Sequence, residues 1–252
     1  MLRIFHPLEE HSSTVRITGE KAHYLATVLR CRAGDNIIMF GGKGVSYKGL
    51  VKSAGKKEVL VEISETFPEN TESPLSIVLI QGLLKGEKMD LVVQKTTELG
   101  VKEIIPATTE RSQVKETKKV SRWRKIAEEA SRQSGRPAVP VIHELVSFRD
   151  LLSDASPYAS YFKTCKCLLF WEEGGPGLSQ IKKRLEGPRE LIMAIGPEGG
   201  FTRDEVEAAE SKGFLIASLG NRILRAETAA IAATAIAQFL FGDLGRDRHS
   251  KA

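Results

Sequence analysis

Twice near its carboxyl end this chain passes from a short apolar run through a glycine-bearing loop into a helix, and that repeated transition limits the fold more than any other feature. The first runs Ala194-Ile195-Gly196-Pro197-Glu198-Gly199-Gly200-Phe201-Thr202, and the second Leu219-Gly220-Asn221-Arg222-Ile223-Leu224-Arg225-Ala226-Glu227-Thr228-Ala229-Ala230. Glu190–Ile195 has the length and composition of a buried strand, and three glycines with a proline follow it at once. Thr202 with Glu205 three residues later is the signature of a capping box, and Val206 and Ala209 continue at helical spacing. In the second half Phe214–Leu219 reads as a strand. Ala226–Phe241 is so apolar that the pattern predicts a helix buried nearly all round, in the core or at a subunit interface. Strand, loop and helix repeated in this way imply parallel pairing, and two such loops can wall one pocket at the carboxyl ends of the strands. Glycines there let a nucleotide, a nucleoside or another small polar ligand reach backbone N–H and C=O groups. A plain tight turn would use the same residues, so the loops alone do not name a ligand. Glu227 sits where a helix dipole favours a carboxylate.

The rest of the chain divides by period. Over the first 70 or so residues short β-type runs alternate with turn signals, at Val15–Ile17, Asn36–Phe40, Gly44–Val51 and Val59–Ile63, with a single helical stretch at Ala22–Arg30. This pattern suggests a small β-barrel. The polar, two-proline segment Pro68–Pro74 marks the change, and the domains expected are 1–72, 73–245 and a frayed tail at 246–252. Beyond the boundary, strand patterns at Leu75–Gln81, Glu103–Pro106, Val139–Ile142, Cys167–Trp171, Glu190–Ile195 and Leu215–Leu219 alternate with helical ones at Glu87–Leu99, Val120–Ser134, Phe148–Leu152, Ser179–Leu185, Arg203–Lys212 and Ala226–Phe241. The fold class expected is α/β with a mainly parallel sheet.

Composition narrows the chemistry. The hydrophobic fraction of 41% and charged fraction of 27% are those of a soluble globular chain. No apolar run reaches the roughly 20 residues of a membrane span, and Met1–His6 lacks a signal-peptide core, so a cytoplasmic location is expected. Three cysteines make a disulfide framework unexpected, and Cys165-x-Cys167 lacks a second pair for zinc. No phosphate-binding G-x-x-x-x-G-K-[ST], dinucleotide G-x-G-x-x-G, nucleophile elbow or H-E-x-x-H is present, and His6, His11, His23, His143 and His249 are scattered. Of the net charge of +5, the segment Arg111–Arg136 carries more than all: nine cations stand against Glu116, Glu128 and Glu129, with Trp123 among them. Such a block is what contact with a nucleic-acid backbone needs, although a solvated helix face has the same composition.

Several motifs in order carry a resemblance. Ile195–Gly200, Leu219–Ala229, the helix from Lys85-Gly86-Glu87-Lys88-Met89-Asp90 to Thr97-Glu98-Leu99-Gly100, Thr109-Glu110-Arg111-Ser112 and Gln133-Ser134-Gly135-Arg136 together resemble the family of ribosomal RNA small-subunit uridine-N3 methyltransferases. His23-Tyr24-Leu25 and Val28-Leu29-Arg30 are similar to its PUA-like barrel. The resemblance spans almost the whole chain. It implies a SPOUT-type α/β domain whose carboxyl end is knotted to form an S-adenosylmethionine site, a homodimer with the last helix at its interface, and no need of a metal. The donor would be held by Gly196, Pro197, Glu198, Gly199 and Gly200 from the first loop and by Leu219, Gly220, Asn221, Ile223, Leu224, Arg225, Glu227 and Thr228 from the second. Methylation at uracil N3 needs loss of its proton, which a cation near the uracil oxygens favours. Arg136 or Arg225 is the catalytic candidate, and Arg3, Arg30, Arg111, Arg122 and Arg136 are candidates for contact with 16S ribosomal RNA. Two other readings keep the same domains: an RNA-binding factor without catalysis, which would not bind S-adenosylmethionine, and an enzyme of the same fold acting on transfer RNA.

Overall fold

In the computed structural model the residues described are 2–7, 13–41, 45–69 and 71–245. The expected tail at 246–252, Gly44, Asn70, His11 and His249 lie outside them. By internal packing the chain forms two units, Met1–Glu72 with Ser131–Val139, and Ser73–Ala130 with Pro140–Ala252.

The first unit is built on β1 (Leu2–Phe5), β2 (Thr14–Thr18), α1 (Gly19–Thr27), β3 (Asn36–Phe40), β4 (Val45–Ala54) and β5 (Glu58–Pro68). These strands make one sheet in the order β1-β3-β4-β5-β2, antiparallel except for β1 against β3. Two register shifts in the β4–β5 ladder, at Lys48/Gly49 and Val51/Ser53, bend the long strands as β-bulges do. The concave side is apolar: Val15, Ile17, Ile37, Met39, Val51, Val59 and Val61 close on Ala22 and Leu25 of α1. Among the described residues no ladder joins β1 to β2, so the sheet is a curled half-barrel. The pattern had extended α1 to Arg30. The helix ends at Thr27 because Arg30 takes a left-handed φ of 53° and Cys31 N–H turns back to Leu25 O at 2.9 Å. Strand β1, unforeseen from sequence, is defined only by its distant partner β3.

The second unit continues with β6 (Ser76–Gly82), α2 (Lys88–Glu98), β7 (Val101–Thr108), α3 (Val120–Ser134, whose last four residues belong to the first unit), β8 (Val141–Ile142), β9 (Val146–Ser147), α4 (Phe148–Leu151), α5 (Ala159–Thr164), β10 (Lys166–Phe170), α6 (Leu178–Leu185), β11 (Glu190–Ile195), α7 (Arg203–Ser211), β12 (Phe214–Ala217) and α8 (Ala226–Phe241). Every ladder of its sheet is parallel, in the order β12-β10-β11-β6-β7-β8, with β9 also on β7. Central strands β6 and β11 are buried almost throughout, as a sheet covered on both faces requires. One face packs on α4, α5 and α7 through Phe148 against Phe201 and Phe162 against Phe214, with ring centroids 4.9 and 5.3 Å apart. Thr202 and Glu205 close the capping box of α7. Helix α3 turns Val120, Trp123, Ala127 and Ala130 inward at helical spacing, and Trp123 is 1% exposed with its indole N–H donating to Asp90 Oδ1 at 2.9 Å. Trp123, which stands among the cations of the basic block in sequence, is thus a core residue and is not available to a nucleic-acid backbone.

Within the single chain helix α8 is covered on one side only, so it is not a core helix buried all round. Ala226, Ala230, Ala233, Thr234, Ala237 and Gln238 face inward, where α8 packs on α2, while Ile236 and Phe239 are exposed, the latter 67%. Uniform hydrophobicity along a helix leaves no period from which to read a face, so the sequence could not show that one side is left uncovered.

Candidate functional site

Strands β12, β10 and β11 are neighbours and parallel, so the loops leaving their carboxyl ends lie side by side. Between them opens a cavity of about 600 Å³, lined by Phe170, Trp171 and Glu172 after β10, by Ile195, Gly196, Pro197, Glu198 and Gly200 after β11, and by Ser218–Ala226 after β12, with Lys88 and Ala229 from α2 and α8. This is the place an open parallel sheet offers a ligand, and the size suits a nucleoside derivative. Of the residues predicted to hold a ligand, the fold gathers Gly196, Pro197, Glu198, Gly200, Leu219, Gly220, Asn221, Ile223, Leu224 and Arg225 on the wall. Gly199, Glu227 and Thr228 are not among the residues that line it. The loop after β10 had no sequence motif to announce it, and Lys88, though part of the Lys85–Asp90 motif, was not among the residues expected to line the site.

Close backbone approach explains the glycines. Gly200 has a φ of +70°, and a Cβ there would collide with the Glu172 carboxylate. Gly82, at the end of β6, lies so near the loop that a Cβ would come within 2.6 Å of Pro197 Cδ and 2.7 Å of Gly196 C. Beside it Gln81 donates to Gly82 O at 3.0 Å and Gly196 O at 3.3 Å, tying the loop to the centre of the sheet. Gly82→Ala is expected to lower unfolding stability by about 1–3 kcal/mol, because the neighbours it would displace are backbone. An unchanged midpoint in urea denaturation would contradict the packing described.

Electrostatically the wall is mixed. Glu198 Oε1 accepts from Lys88 Nζ at 2.9 Å and from the Lys85 N–H at 3.2 Å, and Oε2 is buried without a hydrogen bond. Burial works against its charge, but the Lys88 contact and backbone N–H groups outweigh it and hold the carboxyl below its ordinary 4.5. A depressed carboxyl contributes stability above its unfolded value and loses it as pH falls through the folded one. The stability difference between the wild type and Glu198→Gln is thus expected to be constant above about pH 5.5 and to shrink below pH 4.5. A difference that grows toward acid would refute this. Arg225 is exposed at the N-cap of α8 and makes no ion pair among the described residues, with Glu227 or otherwise.

Comparison with known proteins gives these loops a family. A model described as an RNA methyltransferase domain matches residues 71–238, and one described as an RNA methyltransferase PUA domain matches residues 17–64. The chain belongs to the RNA methyltransferase family. It is 36% identical over 230 residues to the ribosomal RNA small subunit methyltransferase E of Bacillus subtilis, which covers 87% of this chain and 88% of that one. Among solved structures it is similar to the ribosomal RNA small subunit methyltransferase E of Neisseria gonorrhoeae bound to S-adenosyl methionine, with a TM-score of 0.86, 36% identity and coverage of 96% of this chain and 99% of that one. A methyltransferase of Legionella pneumophila in complex with the same cofactor gives a TM-score of 0.85 at 33% identity, covering 96% and 98%. The fold is accordingly an α/β RNA methyltransferase domain with a mainly parallel sheet, preceded in the chain by an RNA methyltransferase PUA domain.

In this methyltransferase the remaining predicted residues fall into two sets. Arg136 belongs to the first unit, is 6% exposed, and grips Glu72 with two hydrogen bonds of 3.0 and 2.6 Å. Arg3 pairs with Glu69 at 2.9 Å, donates to Gly135 O and Arg136 O at 3.2 Å, and lies over the Phe40 ring. Both brace the segment Ser131–Val139 within that unit. Arg122 binds Asp90 at 2.8 Å, and Arg111 donates to Gly199 O and Phe201 O at 3.3 Å, supporting the first glycine loop from behind. Lys115, Lys119 and Arg124 are likewise engaged, by Thr109 O, Gly86 O and Glu144. Much of the basic block is therefore committed within the fold, whereas Arg30 is exposed and makes no ion pair among the described residues. No group of three or more His, Cys, Asp or Glu side chains among the described residues is placed to hold a metal, and no described helix is long and apolar enough to cross a membrane.

Proposed function

We propose that this methyltransferase transfers the methyl group of S-adenosylmethionine to N3 of a uridine in the 16S ribosomal RNA of the small subunit. The observation that carries the reading is the pocket itself: three loops at the ends of adjacent parallel strands present backbone groups and a free arginine around a cavity of nucleoside size. The residues fit such a donor. Gly196 and Gly200 keep the first loop free of side chains so that it can offer main-chain N–H and C=O groups, and Trp171 offers a flat apolar surface. When bound, S-adenosylmethionine supplies a methyl group already activated on a sulfonium. The chain's own residues then have to position a uracil in line and favour loss of its N3 proton. Exposed on the wall, Arg225 suits that task, since a guanidinium beside the uracil oxygens stabilises the anion. Arg136, buried and gripped by Glu72, suits bracing instead. Glu198, kept ionised by Lys88, is a weak base and serves the wall rather than the proton.

RNA contact is assigned to exposed cations such as Arg30, and a homodimer to the uncovered face of α8, where Ile236 and Phe239 present apolar surface to a second copy. Calorimetric titration tests the donor half: one S-adenosylmethionine per chain is expected, and absence of binding would favour a non-catalytic RNA-binding role.

A further inference from the structure

The loop after β10 puts into the pocket a side chain that the proposed chemistry does not use. Strand β10 is buried from Cys167 to Phe170 and ends where the Trp171 N–H donates to Ala217 O at 3.0 Å, and the next residue, Glu172, turns onto the wall. Its carboxylate lies against the backbone of Gly200, in space that any Cβ at that position would fill. Among the described residues Glu172 has no hydrogen bond and no ion pair. The other acidic side chain of the wall, Glu198, is already engaged by Lys88 and the Lys85 N–H. One free carboxylate thus stands at the centre of the three loops, flanked on both sides by loops that offer mainly backbone.

We infer that Glu172 binds the ribose cis-diol of the nucleoside ligand, an inference that rests on the reading of the pocket as an S-adenosylmethionine site. An ionised carboxylate is acceptor-only and has two oxygens, and a cis-diol presents two O–H donors on adjacent carbons. Such charge-assisted bonds are stronger than the neutral ones the glycine loops can make. Open parallel sheets that bind other nucleotides place an acidic side chain at a strand end for the same hydroxyls. Gly200 is then required twice, for its left-handed backbone and for the room it leaves the carboxylate.

The test is calorimetric titration of the wild type, Glu172→Gln and Glu172→Ala with S-adenosylmethionine, S-adenosylhomocysteine and the 2′-deoxyribose form of the latter. Glu172→Ala is expected to weaken S-adenosylmethionine and S-adenosylhomocysteine alike, on the order of tenfold or more, with Glu172→Gln between. The wild type is expected to prefer the ribose form over the 2′-deoxy form, and Glu172→Ala to lose that preference, since a site built for a hydroxyl rejects a ligand lacking it. Unchanged affinities overturn the inference. So does weakening confined to S-adenosylmethionine, which would assign the carboxylate to the sulfonium. If the wild type binds none of the three, the methyl-donor reading fails and this inference with it. Both variants alter an exposed side chain, and thermal unfolding at the wild-type temperature will show that the fold is kept.

Discussion

Arg225→Ala is expected to lower methyl transfer by about 10²- to 10³-fold while leaving the affinity for S-adenosylmethionine within about twofold of the wild type, the range found when a single charge-stabilising donor is removed from an active site. The expectation follows from position. Arg225 is the N-cap of α8, with extended backbone angles of −62° and 149°, so its side chain leaves the helix at the pocket wall. No carboxylate neutralises it among the described residues, and its charge is available to a uracil losing the N3 proton. An interaction made only as that charge develops lowers turnover without changing binding of the donor. Because the side chain is exposed, its removal should not move the unfolding midpoint. Arg225→Lys, which keeps the charge without the planar fork, should recover part of the rate. If Arg225→Ala turns over normally with donor binding unchanged, the assignment is wrong.

The second large effect is structural. Trp123→Ala is expected to destabilise the methyltransferase unit by about 3–5 kcal/mol, the usual cost of emptying a buried tryptophan site. At 1% exposure the indole has no solvent-facing edge, and its N–H holds Asp90 of α2 at 2.9 Å. Trp123→Phe should keep most of the packing and lose the bond to Asp90, for a smaller loss of about 1–2 kcal/mol. Urea denaturation followed by the fluorescence of Trp171, the other tryptophan, reads both variants. A loss below 1 kcal/mol together with weaker, less salt-dependent RNA binding would instead put Trp123 on an RNA-facing surface.

That contrast shows where the sequence informs and where it stops. Glu190–Ile195, Val120–Ser134, Ala226–Phe241 and the capping box at Thr202 were legible because each is signalled locally, by an apolar run, a 3.6-residue period or a cap. The basic block was legible as charge but not as surface. The groups that engage it, Asp90, Glu144 and Glu72, are 32, 20 and 64 residues away from Arg122, Arg124 and Arg136, beyond any window of composition. Two walls of the pocket carried glycine motifs, whereas the third, Phe170–Glu172, belongs to it only because β10 lies between β11 and β12. Gly82 gives the same lesson, since its need for a bare Cα arises from a loop more than a hundred residues later. The assignment of Ser131–Val139 to the first unit is likewise a fact of long-range topology that periodicity does not encode.

The most direct test of the central claim is transfer of a labelled methyl group from S-adenosylmethionine to purified small ribosomal subunits lacking their native uridine methylation, followed by nuclease digestion and separation of the nucleosides. The account predicts label in 3-methyluridine of the 16S RNA. Label in a different nucleoside, or none despite demonstrable donor binding, would contradict it.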